Sequence, residues 1–261
     1  MSGEIVRAES GALTPAAEAE IAALARRAAT ARGPLMKAIG LAGSQAENML
    51  EKLPDSAKDA IEKATERALE LAYRGAEVAG RSPRAPDLGR HGHTVAATLS
   101  GAAGGFGGLA SAVVEVPVTV SILFAAIQKA AKAEGFDPAD PEIRRECLMV
   151  FAAGDPMDAS DDGVNTSFLM SRTVITGASL HRLIASVAPR LASVLTEKLA
   201  AQALPVLGSV AGAGINLAFA RYYRELAEVR FALLRLARAH GEEAVRARFF
   251  EARGTGRLGK A

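Results

Sequence analysis

Hydrophobic and polar positions alternate along this chain with a helical period almost throughout, and no stretch alternates convincingly as a strand. The clearest amphipath starts at Pro54-Asp55-Ser56. Its apolar residues Ala57, Ile61, Ala64, Ala68, Leu71, Gly75 and Val78 recur at three- and four-residue steps, with Asp59, Lys63, Glu70 and Arg74 on the other side. Before it, Thr14-Pro15 sets a capping hydroxyl ahead of a proline at the first helical position, which predicts a helix to about Arg32. Gly33-Pro34 breaks that helix, and a second is expected over roughly 34–53. The run Gly80-Arg81-Ser82-Pro83-Arg84-Ala85-Pro86 reads as a linker.

The pattern then changes. From His91 to Val114 there is no Asp, Glu, Lys or Arg; Glu115 follows alone, and the next charge is Lys129. Such a stretch is long enough to cross a bilayer. Its many Gly, Ser and Thr residues, the central carboxylate and Pro117 fit the buried middle of a helical bundle better. Gly135-Phe136-Asp137-Pro138 ends the helix, and Asp140-Pro141-Glu142 opens another that reaches about Ala153. An acidic loop, 154–163, leads to a long helical region over 164–204. The last helix opens near Pro205, carries Gly208 and Gly212 one turn apart where a second backbone can approach, and runs to about His240. The fold expected is all-α: a multi-helix bundle around an apolar, glycine-rich central helical hairpin. Its organisation is read as a disordered 1–13, an Ala-rich helical extension over 14–90, a helical core over 91–251 and a flexible tail over 252–261.

Composition adds bounds. Half of the 261 residues (49%) are hydrophobic but only 5% aromatic, with no Trp, which suits Ala- and Leu-rich helices that pack closely. A formal charge of +2 argues against a dedicated nucleic-acid binder. Charge is nevertheless segregated: residues 129–162 are acidic, and residues 221–261 are basic. Cys147, the one cysteine, allows no intrachain disulfide and favours a reducing compartment, and the first ten residues lack the order of a signal peptide. The cytoplasm is the expected location, peripheral to the inner membrane face.

The order and spacing of several segments resemble the EcsC family of bacterial proteins over about residues 36–250. They are the glycine run Gly101 to Gly108, Glu115-Val116-Pro117 before an apolar helix, Gly135-Phe136-Asp137-Pro138, the helix with Cys147-Leu148-Met149-Val150-Phe151, and Leu204-Pro205-Val206-Leu207-Gly208 through Asn216. The resemblance implies a helical protein, membrane-associated or soluble, encoded in its namesake beside the Ecs ATP-binding-cassette transporter. It implies no particular reaction.

Glu115 is the first residue expected to matter. A carboxylate in an apolar helix must be paired or held neutral, and Arg172, in another apolar segment, is its natural partner. Asn216, after the glycine run, suits an interhelical hydrogen bond or a polar spot in a cavity, with Gly104, Gly105, Gly208 and Gly212 allowing close approach. His91 and His93 have a spacing that holds metal on an extended segment, but no helical metal motif accompanies them, and neither metal nor cofactor is expected. Asp158-Ala-Ser160-Asp-Asp162-Gly163 starts like a calcium loop and then offers Leu169 where a carboxylate should stand. No phosphate-binding loop occurs.

Two functions follow as expectations. The preferred one is a non-enzymatic protein at the inner membrane face that binds lipid or a membrane-protein partner, held by Arg221, Arg224, Arg230, Arg235 and Arg238 among Phe219, Leu226, Leu233 and Leu234. The alternative is a hydrolase using Glu115 or His181. A plainer reading of the arginines is that they pair with the acidic 129–162 region.

Overall fold

The computed structural model describes residues 12–34, 36–37, 54–81, 108–152, 180–202 and 208–254. Seven helices account for nearly all of these, and no strand occurs among them: α1 (Pro15–Thr30), α2 (Asp55–Arg81), α3 (Gly108–Ala133), α4 (Pro141–Val150), α5 (Leu180–Gln202), α6 (Gly208–His240) and α7 (Glu242–Ala252). The chain is an all-α bundle.

Local chemistry sets several boundaries. The Thr14 hydroxyl accepts from Ala17 N at 3.2 Å, satisfying one orphan donor of α1. Asp140 does the same for α4 through Glu142 N at 2.7 Å, ahead of Pro141. Gly135 ends α3 with φ +83°, so that Phe136 N donates to Ala131 O at 3.0 Å and Gly135 N to Lys132 O at 3.1 Å. Two of the last carbonyls of α3 are satisfied by that left-handed residue, and the chain is turned back toward α4. Gly241, φ 89°, separates α6 from α7. The helix α7 is an addition to what the hydrophobic pattern suggested. It buries only Val245 and Phe249, too sparse a face to read as a repeat.

The core is continuous from Ala17 to Phe249. The 33-residue α6, about 50 Å long, is its spine. Glu20 contacts Arg235 and Arg27 contacts Glu225 and Glu228, so α1 runs antiparallel to α6. Phe124 stacks on Phe151, Phe151 meets Tyr223 edge-on, and Glu134 bonds Arg235, so α3 runs parallel to α6. Lys198 reaches Glu115 while Arg190 reaches Ala152 O, next to Phe151, which makes α5 antiparallel to α3. Packing between α2 and α3 is the most extensive in the bundle. The N-terminal helices thus share one core with the segment after residue 108.

On α2 the buried face is not the expected one. Ile61, Ala64 and Ala68 are buried, but Leu69 and Tyr73 continue the core while Leu71 stands 64% exposed. Arg144 lies against that side: it donates to Tyr73 O at 3.2 Å and sits 4.5 Å from the Tyr73 ring centre. Of the expected linker, Gly80 and Arg81 belong to the end of α2, and 82–86 lie outside the described residues, as do most of the expected helix over 34–53 and the acidic loop 154–163.

Candidate functional site

Among the described residues, two ion pairs stand out inside the bundle. In the second turn of α3, Glu115 Oε1 accepts from Lys198 Nζ, near the end of α5, at 2.7 Å. The lysine side chain is 1% exposed and the glutamate 7%. Burial lowers the Lys198 pKa from its ordinary value, and the Glu115 carboxylate works against that by stabilising the charged amine. One turn further along α3, Thr119 is buried and its hydroxyl meets no hydrogen-bond partner among the described residues. From the Glu134–Arg235 contact, the parallel register of α3 and α6 brings Asn216 to about the level of Glu115, and Asn216 is buried there. Buried polar groups thus recur in an otherwise apolar interior: the Glu115–Lys198 pair, Thr119 one turn on, and Asn216 at a matching height on α6. Such a pair fixes how helices meet, because each buried charge must find its one partner.

The second pair joins Glu146 on α4 to Arg230 on α6, with Arg230 Nε 2.9 Å from Glu146 Oε2 and Nη2 on the same oxygen. Next to it Cys147 is fully buried. Its thiol pKa is pushed well above the ordinary range, first by burial and then by the Glu146 charge, with Arg230 opposing.

The sequence-derived residues fall in different places. Glu115 is buried, but its partner is Lys198, a residue that sequence reasoning passed over; Arg172 lies outside the described residues, as do Gly104, Gly105, His91 and His93. The stretch Thr196 to Lys198 carries no signal that marks its lysine as internal, apart from the apolar residues around it. Gly208 opens α6 and Gly212 lies in its second turn. His181 is exposed in the first turn of α5, 17 residues and about 25 Å from Lys198 along the helix. Glu115 and His181 thus sit at opposite ends of α5 and do not converge on one site. No group of three His, Cys, Asp or Glu side chains suited to a metal occurs among the described residues.

One of the five arginines of α6 expected at a surface is buried. Arg230 is 6% exposed and serves the core, not a surface. Arg235 bonds Glu134 Oε2 at 2.8 Å and also contacts Glu20. Arg224 pairs with Glu228 at 3.7 Å, and Arg238 stacks 4.4 Å from the Phe136 ring centre. Arg221 is exposed. Two of the five thus answer the acidic 129–162 region, through Glu146 and Glu134.

Neither the curated proteins nor the solved structures contain a chain that matches this one. A family model does match, described as the EcsC protein family, over residues 19–236. That span takes in most of α1 and all of α2, α3, α4 and α5, with α6 to within its last turn. By this match, which covers most of its length, the chain belongs to the EcsC protein family.

Proposed function

We propose that this protein is a non-enzymatic helical protein of the inner membrane face that binds lipid or a membrane-protein partner. One observation supports the reading above others: the outward face of α3. Between Val116 and Gln128 the helix has no charge at all, yet Val118 is 46% exposed, Ser121 is exposed, and Ile122, Ala125 and Gln128 are only partly covered. The stretch Glu115–Ala133 is long and apolar enough to cross a membrane by length and composition, and half of it is buried in the bundle. A buried core helix explains its inner side. The outer side, three turns without a charge, suits an apolar neighbour. Lys129 and Lys132 follow on the same helix, where headgroups would lie.

Flotation with vesicles of phosphatidylglycerol and of phosphatidylcholine, beside native mass spectrometry for co-purified lipid, tests the reading. Flotation on the anionic vesicles is expected at low salt. Val118→Asp should abolish it without changing the melting temperature, because that side chain is half outside the core. A wild-type protein that neither floats nor carries lipid would overturn the lipid form of the proposal.

A further inference from the structure

Helical hydroxyls in this protein have a usual partner, and one of them lacks it. Buried Thr65 donates to Ile61 O and buried Thr196 to Ala192 O, each at 2.7 Å and each four residues back on its own helix. Ser121, on the exposed side of α3, does the same to Pro117 O at 2.7 Å. Thr119 does not. It is 7% exposed, and its hydroxyl bonds nothing among the described residues. A buried hydroxyl without a partner costs free energy, so native interiors supply one from the protein, from water or from a ligand.

Thr119 stands one turn from Glu115 on α3, and residues four apart on a helix are neighbours. A second need arises at the same place. The Lys198 ammonium has three N–H donors and, among the described residues, one acceptor, Glu115 Oε1 at 2.7 Å. A buried ion pair holds well only when further hydrogen bonds meet its remaining protons and lone pairs. The packing puts both needs inside the bundle. Helices α2 and α6 each pack against both α3 and α5, whereas α3 and α5 pack little against one another. These two therefore lie diagonally across a four-helix group, and Lys198 and Glu115 reach each other through its middle. Bundles build their ligand sites there, from side chains on facing helices.

We infer that Thr119, Lys198 and Glu115 together bind the hydroxyl oxygen of a neutral guest. That oxygen accepts from the Thr119 hydroxyl and from the Lys198 ammonium through its two lone pairs, and its own O–H donates to the Glu115 carboxylate. An anion does not suit the place, because Glu115 already neutralises Lys198 and a further negative charge would be buried without a cation. A cationic amine fails for the same reason and offers Lys198 no acceptor. Water and the hydroxyl head of an uncharged lipid carry the same group. The lipid source rests on the membrane reading above and would give it an internal polar contact; the water source is independent of that reading.

Thr119→Val keeps the shape of the side chain, removes the hydroxyl and decides by the sign of its effect. An idle buried hydroxyl is better replaced by a methyl, so its loss would leave the melting temperature unchanged or raise it. A hydroxyl that holds a guest oxygen should lower it by about 2–4 °C when removed from a chain of this size, with Thr119→Ser close to the wild type. The titration of Lys198, followed by the NMR shift of its ε-methylene carbon, should move to lower pH in Thr119→Val, because the ammonium facing Glu115 loses its second acceptor. Native mass spectrometry separates the sources. A neutral lipid carried by the wild type and absent from Thr119→Val assigns the oxygen to lipid, whereas equal masses with the melting difference intact assign it to water. A Thr119→Val protein that melts at or above the wild type, or in which Lys198 titrates as before, would overturn the inference and leave the membrane reading standing. Wild-type protein that neither floats nor carries lipid, with the melting difference present, would overturn the lipid source and the lipid form of that reading together.

Discussion

Lys198 Nζ lies 2.7 Å from Glu115 Oε1 with both side chains out of water, so one helix near its end and another near its start are joined by charge inside the bundle. The pair costs desolvation on both sides, and its worth appears when one member is removed. Glu115→Ala or Lys198→Met should each destabilise the protein by about 3–5 kcal/mol in chemical denaturation, because the other charge is stranded. The double change Glu115→Leu with Lys198→Met should recover most of that loss. A double variant as unstable as the sum of the singles would mean that the two residues act separately.

The titration of this interior has a definite sign. Lys198 has a lowered pKa in the fold, so the unfolded chain binds that proton more tightly; its contribution to stability rises with pH up to the ordinary value of 10.5. Cys147 is the reverse. Its raised pKa contributes stability that is fully present below 9.0 and lost as pH rises above it. Unfolding free energy measured from pH 7 to 10 should therefore fall less steeply at the alkaline end for Cys147→Ala than for the wild type. At pH 8 the native thiol should react with an aromatic disulfide reagent only as fast as the protein opens.

Arg230 and Arg221 look alike in the sequence and differ in the fold. Arg230→Gln leaves Glu146 buried without its cation and should cost about 3–5 kcal/mol. Arg221→Gln, at an exposed position, should stay within about 0.5 kcal/mol of the wild type. Equal melting temperatures for the two variants would contradict the buried position of Arg230.

Two glycines should respond in opposite directions. Gly135 has φ +83°, so Gly135→Ala forces a left-handed alanine and should cost about 1–2 kcal/mol, although no atom lies within 4 Å of the added methyl. Gly214 is inside α6 with open space around it, and Gly214→Ala should add up to about 1 kcal/mol. Thermal melts of the two variants, shifted in opposite directions, would bear this out.

By itself the sequence determined the helical class, most of the helices and several of their ends, although not α7. Period, propensity and caps act within a few residues, which is why Thr14, Asp140 and Gly135 could be read directly and why the all-α class followed. The order of its segments likewise carried the family. Tertiary structure alone decided the partners. Which cation meets Glu115 depends on α5 lying antiparallel to α3 over 83 residues of separation, and that register brings Lys198 to it. The same holds for Arg230 and Arg235, whose identical chemistry is sorted into core pair and exposed bridge only by the face of α6 on which each falls. Leu71, expected inside, is exposed, while Tyr73 is buried against Arg144, a contact across 71 positions that no local pattern contains. Charge pairing inside a protein is set by geometry between distant segments, and a one-dimensional pattern records only which charges need a partner.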